Sequence, residues 1–328
     1  MQKLIVQPST ENMWAIAYDI IASNLNSKNL VFMIHGGGMD LHEKYFYLTE
    51  EIYDATGKRT KTFDEMVQGN YDKLTEKLIE NGADCIICRM DNRNHGESLL
   101  NGQMDTRNTS FVRLAQDEAE LLRYIIRKYN IEHVEIVATC MGTLITQFML
   151  TNENNRDIVK KVDSVVFNSP LYTQNLAFPK EYETFNYKKY QQIMNSDDDF
   201  QYTKMRGVFD SKQTVQELAK YPDLHKQFAE LMIPTQLYLG FGDRLLPYKR
   251  AREIAEEIKS INPNCEIIKV SRSHVKLQQS DTLIKKIISK DSNHCLYDPK
   301  SSYKCVTKGS ECLLKNLENI RSKIGEIN

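Results

Sequence analysis

Short runs of continuously apolar, largely β-branched residues recur along this chain and alternate with segments of helical period. The runs are NLVFMIH (29–35), DCIICRM (84–90), VEIVAT (134–139), VDSVVFN (162–168), TQLYLG (235–240) and CEIIKV (265–270). Strands that are apolar on both faces are typical of a sheet covered by helices on both sides. The alternation therefore predicts an α/β fold with a mainly parallel central sheet flanked by helices.

The helical segments carry their apolar residues on one stripe. In FVRLAQDEAELLRYIIRKYN (111–130), this stripe consists of Ala115, Ala119, Leu122, Ile126 and Tyr129. The segments YDKLTEKLIENG (71–82), YKRAREIAEEIKSIN (248–262) and SDTLIKKIISK (280–290) behave similarly. Gly82 stands where a glycine commonly ends a helix.

Two long stretches interrupt the alternation. About 50 residues separate the first two runs, which is more than a crossover needs, so an insertion is expected at 40–70. Residues 171–230 are tyrosine-rich and of helical tendency, and we interpret them as a helical cap over the sheet edge; a solvated excursion with its own small core is the alternative. The core would then comprise 1–170 and 231–290, with a tail at 291–328 packing on it.

Composition excludes several classes of function. The 43 basic and 44 acidic residues leave a formal charge of −1, which does not favour nucleic acid or an anionic membrane as partner. No apolar stretch is long enough to span a bilayer, and the N-terminal apolar stretch is too short for a signal peptide. The odd number of cysteines, seven, and their scattered positions do not form a disulfide framework, so a cytoplasmic location is expected.

Four polar or glycine-rich features each follow one of the predicted strands. They are His35-Gly36-Gly37-Gly38, Cys140 within Ala-Thr-Cys-Met-Gly, Asp243 and His274. Glycines allow the backbone to approach a ligand and to aim amide N–H groups at a developing oxyanion. Small residues two before and two after Cys140 are typical of a strand-to-helix turn that lifts a nucleophile out of the fold. The chain order of nucleophile, acid and histidine is that of the α/β-hydrolases.

The chain resembles the α/β-hydrolase superfamily over roughly residues 13–290. CRMDNRNHGES (88–98) is similar to the superfamily's loop after the fourth strand, with Asn94 in place of the usual glycine. The resemblance implies that Cys140 is the nucleophile, His274 the general base and acid, and Asp243 the residue that orients the imidazole. It also implies an oxyanion hole built from the backbone N–H groups of Gly37 and Met141. The substrate pocket is expected to include the residues His35, Gly38, Tyr172, Tyr182, Tyr187 and Tyr190, and Tyr202 is a further candidate for its wall.

Each of these residues also has a structural interpretation. Cys140 could be a buried small apolar side chain, Asp243 could cap the helix that begins near Tyr248, and His274 could lie on the surface. His35 and His95 are expected to brace loops instead of reacting.

The remaining cysteines suggest neither a metal nor a redox site. Cys85 and Cys88 lie three apart in a strand and should point to opposite faces. His294, Cys295, Cys305 and Cys312 lack the spacing of a zinc site, so no metal is implied.

A thiol nucleophile changes the expected chemistry. Attack by sulfur gives a thioester acyl-enzyme, which reacts well with amines and thiols and comparatively poorly with water. The favoured function is therefore a thioesterase or acyltransferase with a Cys-His-Asp triad, acting on a small-molecule acyl group, possibly presented on CoA or an acyl carrier protein. The alternatives are a catabolic ester or lactone hydrolase similar to the dienelactone hydrolases, and a catalytically idle hydrolase fold that binds a ligand. A serine enzyme whose nucleophile had been replaced by cysteine would carry the same pattern. No dissociable cofactor is implied, because the glycine run lacks the spacing of a nucleotide-binding motif.

Overall fold

A computed structural model of the chain describes residues 2–6, 16–37, 40–42, 52–53, 59–61, 70–98, 110–177, 200–202, 209–240 and 248–270. Within these ranges, eight strands form one large sheet, and two further pairs of short strands form separate hairpins. The described helices pack on both faces of the large sheet.

The large sheet is antiparallel at one edge and parallel elsewhere. Its strands are β1 (Gln2–Val6), β2 (Ile16–Ala22), β3 (Asn29–Ile34), β4 (Ile86–Met90), β5 (His133–Thr139), β6 (Val162–Asn168), β7 (Thr235–Gly240) and β8 (Cys265–Val270). Their spatial order is β1-β2-β4-β3-β5-β6-β7-β8. β2 pairs antiparallel with both β1 and β4, whereas all pairings from β4 to β8 are parallel. The mainly parallel sheet is therefore confirmed.

The sequence patterns miss β1 and β2. β1 is a five-residue edge strand, and β2 carries Asp19, a buried charged residue, in the middle of its apolar residues. Edge strands and strands with buried ion pairs lack the continuous apolar run that reveals the central strands.

Eight helices are described. They are α1 (Asn70–Glu80), α2 (Phe111–Tyr129), α3 (Met141–Thr151), α4 (Arg156–Val159), α5 (Thr173–Ala177), α6 (Lys212–Leu218), α7 (Leu224–Glu230) and α8 (Tyr248–Ile261). A short 3-10 turn, Glu153–Asn155, precedes α4. Three predicted helices fall in these ranges, and all three are confirmed: 71–82 as α1, 111–130 as α2 and 248–262 as α8. Gly82 follows α1 with φ of +69°, the left-handed conformation expected of a residue that ends a helix.

Alternating side chains of the strands build one core on each face of the sheet. The larger core joins the sheet to α2, α3, α7 and α8. The smaller core joins it to α1, through Tyr71, Leu74 and Leu78. Cys88 belongs to the larger core and Cys85 to the smaller, so the two thiols lie on opposite faces, as predicted.

Both long interruptions contain a hairpin. In the 40–70 stretch, Ile52–Tyr53 pairs antiparallel with Arg59–Lys61. The 171–230 stretch contains α5, α6 and α7, and also a hairpin of Phe200–Tyr202 with Phe209–Ser211, which the expectation of a purely helical cap did not include. The division into core, cap and tail stays a prediction, and the tail lies outside the described residues.

No helix in the described parts of the chain is long and apolar enough to cross a membrane. The same residues contain no group of three or more His, Cys, Asp or Glu side chains that could hold a metal ion. His294, Cys295, Cys305 and Cys312 lie outside them.

Candidate active site

Cys140 alone forms the turn between β5 and α3. β5 ends at Thr139 and α3 begins at Met141, so the strand passes into the helix within one residue. Cys140 has φ of +48° and ψ of −112°, a conformation that residues other than glycine rarely adopt. Its side chain is partly exposed. The predicted strand-to-helix turn is therefore present, and its backbone is strained at the residue expected to react, which costs of order 1–3 kcal/mol.

Small residues flank Cys140 because another strand lies against the turn. Ala138 is completely buried in the larger core. A Cβ atom on Gly142 would lie 2.5 Å from the carbonyl oxygen of Ile34 and 2.8 Å from that of His35. The first turn of α3 therefore rests directly on the end of β3. This contact places Cys140 next to the glycine-rich turn.

The glycine-rich turn is held by the buried ring of His35. Its Nε2 accepts a hydrogen bond from the backbone N–H of Asn92 at 2.8 Å, so its Nδ1 carries the proton and donates to the carbonyl of Gly36 at 2.6 Å. Burial, with a smaller contribution from His95, lowers the pKa of His35 well below its usual value. His35 is therefore neutral and braces the turn, as expected; contact with a substrate stays a prediction. Gly37 lies in the turn and is partly exposed, and Gly38 lies outside the described residues.

The loop after β4 is tied to the segment after the glycines by Asp91. Its carboxylate accepts from the backbone N–H groups of Leu41 at 2.6 Å and Glu97 at 2.8 Å. A Cβ on Gly96 would lie 2.3 Å from that carboxylate, so only glycine fits there. The hydroxyl of Ser98 donates to the carbonyl of Asp91 at 2.8 Å and accepts from Ala17 of β2 at 2.8 Å.

The other residues of this loop anchor it to α2 and to itself. Arg93 forms a buried two-pronged ion pair with Asp117, with both N–O distances 2.7 Å. Asn94, where the superfamily has glycine, has φ of +66°; the position therefore does require a left-handed backbone, which asparagine tolerates. Nδ1 of His95 donates to the carbonyl of Arg93 at 2.9 Å, and burial lowers the pKa of His95 to about 4. The loop is thus a structural brace for the site.

The start of α3 supplies the electrostatics that an oxyanion hole needs. Met141 is the first residue of the helix, so its N–H has no carbonyl partner within the helix. The same helix end carries partial positive charge, which favours a thiolate at Cys140. Together with the contact between α3 and β3, this puts the predicted donors Gly37 and Met141 on two elements that touch.

The predicted partners of Cys140, Asp243 and His274, lie outside the described residues. The strands that precede them do lie within. β7 ends at Gly240 and β8 at Val270, and these two residues are paired in the parallel register. Because β5, β7 and β8 are parallel, their carboxyl ends meet at the same edge of the sheet as Cys140.

Comparison with known proteins agrees with this architecture. A scan against protein-family models found no match, and a search of curated proteins found none either. Among solved structures, the α/β-hydrolase domain-containing protein 10 from mouse is similar with a TM-score of 0.60 at 12% identity, over 96% of this chain and 99% of that chain. A hydrolase from Agrobacterium vitis S4 gives 0.59 at 11% identity, over 96% and 98% of the two chains. Est1E from Butyrivibrio proteoclasticus, solved with ferulic acid bound, gives 0.59 at 12% identity, over 94% and 97%.

The protein has the α/β-hydrolase fold. In this fold the strand-to-helix turn after β5 carries Cys140, as the sequence predicted, and the role of Cys140 as nucleophile stays a prediction. The TM-scores of 0.59–0.60 establish the shared fold, and at 11–12% identity they establish the fold alone.

Of the tyrosines predicted to line the pocket, one is described in detail. Tyr172 is completely buried, its ring lies edge-on to His225 with centroids 6.2 Å apart, and burial raises the pKa of its hydroxyl well above the usual value. In this hydrolase fold it packs in the larger core next to α7. Tyr182, Tyr187 and Tyr190 lie outside the described residues, and of Tyr202 only the backbone, in its hairpin strand, is described.

Tyr71 supports the site, and the sequence interpretation did not identify it. Its hydroxyl donates to the carbonyl of Ile34 at 2.6 Å and lies 3.2 Å from the hydroxyl of Thr139. It therefore joins the residue before the glycine-rich turn to the residue before Cys140. The helical period of 71–82 predicted only that Tyr71 would face a core.

A buried ion network also went unrecognised in the sequence. Arg89 donates to Asp19 of β2 and to Asp72 of α1, the latter at 2.6 Å. His42 lies 2.7 Å from the same Asp72 oxygen, and this hydrogen bond raises the pKa of His42. The network fixes the segment that follows the glycines to the sheet and to α1.

Proposed function

We propose that the protein forms an acyl-enzyme on the thiol of Cys140 and acts as a hydrolase or acyltransferase. The observation that carries the proposal is the strained, partly exposed Cys140 at the start of α3, pressed by Gly142 against the end of β3. Such strain persists only where the surrounding structure imposes it, and it clusters at sites of chemistry.

In this mechanism His274 accepts the thiol proton, and the thiolate of Cys140 attacks the acyl carbonyl carbon. The new carbon–sulfur bond forms as the carbonyl π electrons move to oxygen, where the amides of Gly37 and Met141 donate hydrogen bonds. Collapse expels the alkoxide or thiolate leaving group, which takes the proton from the imidazolium. Asp243 orients the imidazole throughout.

The acyl group then leaves the sulfur by the reverse chemistry. An acceptor hydroxyl, amine, thiol or water gives its proton to His274 and attacks the thioester carbon, and the thiolate departs and is reprotonated. Because a thioester exchanges readily with other thioesters and with amines, we infer an acyl thioester or activated ester as substrate, presented on CoA or on an acyl carrier protein. A reducing cytoplasm would keep the nucleophile as a thiol.

Carboxylic-ester hydrolysis, with water as acceptor, is the second candidate. Est1E, one of the proteins with a similar fold, was solved with ferulic acid, a carboxylic acid, bound. The same Cys140 intermediate would serve, so the acceptor distinguishes the two candidates.

Intact-protein mass spectrometry tests the proposal. The protein is exposed briefly to a panel of acyl-CoA thioesters and p-nitrophenyl esters, beside Cys140→Ala and the matched control Cys265→Ala. Cys265 is a buried thiol whose pKa burial raises to about 11, so it should not react. We expect a mass gain of one acyl group in the wild type and in Cys265→Ala, and none in Cys140→Ala.

The same samples discriminate among the functions. Discharge of the adduct by water alone would indicate an ester hydrolase or thioesterase, and discharge by added amines, alcohols or thiols an acyltransferase. Turnover that survives Cys140→Ala would show that another residue is the nucleophile. Absence of both adduct and turnover over the whole panel would favour a fold used for ligand binding.

A further inference from the structure

Ser169, on the neighbouring strand, has the same positive φ as Cys140. It directly follows β6, as Cys140 directly follows β5, and its φ of +47° matches the +48° of Cys140. The next residue is Pro170, and a residue before proline is normally confined to extended backbone. The fold therefore holds Ser169 in a conformation that its own sequence context opposes.

Ser169 and Cys140 are neighbours across the sheet. β5 and β6 pair in parallel up to Thr139 and Asn168, so Cys140 and Ser169 are the next pair along. The N–H of Cys140 donates to the carbonyl of Asn168 at 2.9 Å, which continues the ladder past the last paired residues. Adjacent strands lie about 4.8 Å apart, which is within the reach of two short side chains.

The hydroxyl of Ser169 is buried without a hydrogen-bond partner in the described parts of the chain. The residue is 2% exposed, and its Oγ contacts neither a donor nor an acceptor there. Its backbone N–H, by contrast, donates to the carbonyl of Tyr238 at 3.0 Å. Burying a hydroxyl without a hydrogen-bond partner costs free energy of folding, so this unsatisfied group needs an explanation.

We propose that Ser169 is a positioning residue of the active site, whose hydroxyl donates a hydrogen bond to the sulfur of Cys140 when that sulfur is a thiolate. In the structure the hydroxyl and the sulfur form no hydrogen bond, and a protonated thiol, a weak acceptor, gives the hydroxyl little reason to rotate toward it. Ionisation creates a strong acceptor on the neighbouring strand, and the hydrogen bond forms with the charged state. The inference rests on Cys140 being the nucleophile, as proposed above.

The test is the pH profile of Cys140 alkylation by iodoacetamide, read by mass spectrometry for the wild type, Ser169→Ala and Ser169→Gly. Loss of a hydrogen bond to the thiolate should move the midpoint of the profile up by about one pH unit. Below both midpoints the thiolate fraction then falls roughly tenfold, but each thiolate becomes about threefold more reactive, so alkylation slows about threefold. On the high-pH plateau the variants should react about threefold faster than the wild type. A role in packing alone would not produce this crossing of the two profiles.

Ser169→Gly separates the hydroxyl from the backbone. Because glycine accepts positive φ without strain, the unfolding temperature of the Ser169→Gly protein should equal or exceed that of the wild type. Its alkylation profile should nevertheless shift like that of Ser169→Ala. Met232→Gly is the matched control, because Met232 also has positive φ, +58°, but is exposed at the end of α7. Its alkylation profile should be that of the wild type.

Unchanged midpoints in both Ser169 variants, with a reactive Cys140, would overturn this inference and leave the proposed function intact. Equal shifts in Met232→Gly would also overturn it, because they would show a general effect of backbone relaxation. A wild-type Cys140 that resists alkylation from pH 5 to 9 would instead overturn the proposed function, and this inference with it.

Discussion

Replacing Gly142 by alanine should damage both the stability and the activity of this protein. The added methyl would lie 2.5 Å from the carbonyl oxygen of Ile34 and 2.8 Å from that of His35, both of them backbone atoms that cannot rotate away. Non-bonded heavy atoms rest at about 3.5 Å, so α3 and β3 would have to separate by roughly 1 Å. Overpacking of this kind costs about 1–3 kcal/mol in the free energy of unfolding.

The same displacement separates Cys140 and Met141 from the glycine-rich turn. A misplacement of ~1 Å in a catalytic arrangement can lower the rate about 10²-fold. We therefore expect Gly142→Ala to lose about two orders of magnitude in the rate of acyl-enzyme formation, measured by the same mass spectrometry. Urea unfolding followed by circular dichroism gives the loss of stability.

Gly82→Ala is the matched control for this substitution. A Cβ on Gly82 would meet nothing within 4 Å, but its φ of +69° would be strained by any side chain. Left-handed backbone costs an alanine about 1–2 kcal/mol, so stability should fall while the rate of acylation stays that of the wild type. A Gly142→Ala protein as active as Gly82→Ala would refute the argument that contact between α3 and β3 sets the geometry of the site.

Three further predictions concern residues around the site. Asn94→Ala should lower the free energy of unfolding by about 1–2 kcal/mol, because Asn94 has φ of +66°, a left-handed conformation that alanine tolerates less well than asparagine, and unchanged urea unfolding would contradict this. Tyr71→Phe should lower the free energy of unfolding by about 1–2 kcal/mol, because it removes the hydrogen bond to the carbonyl of Ile34; no loss in urea unfolding would contradict that contact. Glu118 is completely buried with neither carboxyl oxygen hydrogen-bonded among the described residues, and burial, followed by the charge of Asp117, raises its pKa well above the usual value. The native state therefore retains a proton that the unfolded chain releases. Above pH ~4.3 the free energy of unfolding of the wild type should fall, relative to that of Glu118→Gln, by up to about 1.4 kcal/mol per pH unit. Parallel curves of stability against pH for the two proteins, from pH 4 to 7, would refute this.

The sequence predicted the central strands because their apolar runs are continuous. β6, β7 and β8 begin and end where the patterns placed them, and β5 begins one residue earlier. A strand that is buried on both faces has apolar residues at nearly every position, so its own sequence is enough to predict it. β1 and β2 were missed because they lack such a run: β1 is a five-residue edge strand, and buried Asp19 interrupts the apolar residues of β2.

The candidate site was found from the spacing of its residues. Small residues two before and two after Cys140, and glycines after β3, form a local pattern, and for Gly142 the structure gives the cause in its contact with the carbonyls of Ile34 and His35. The roles of Asp243 and His274 remain predictions from chain order, supported by the shared edge at which β7 and β8 end.

What the sequence by itself determined was therefore the parallel sheet, the turn at Cys140 and the order of the residues proposed to react, because each is encoded in adjacent residues. Only the tertiary structure revealed Tyr71 joining the ends of β3 and β5, and Ser169 strained beside Cys140. Those features arise from residues distant in the chain that parallel strands bring to one edge. Their positions depend on register and packing, which no local pattern of residues records.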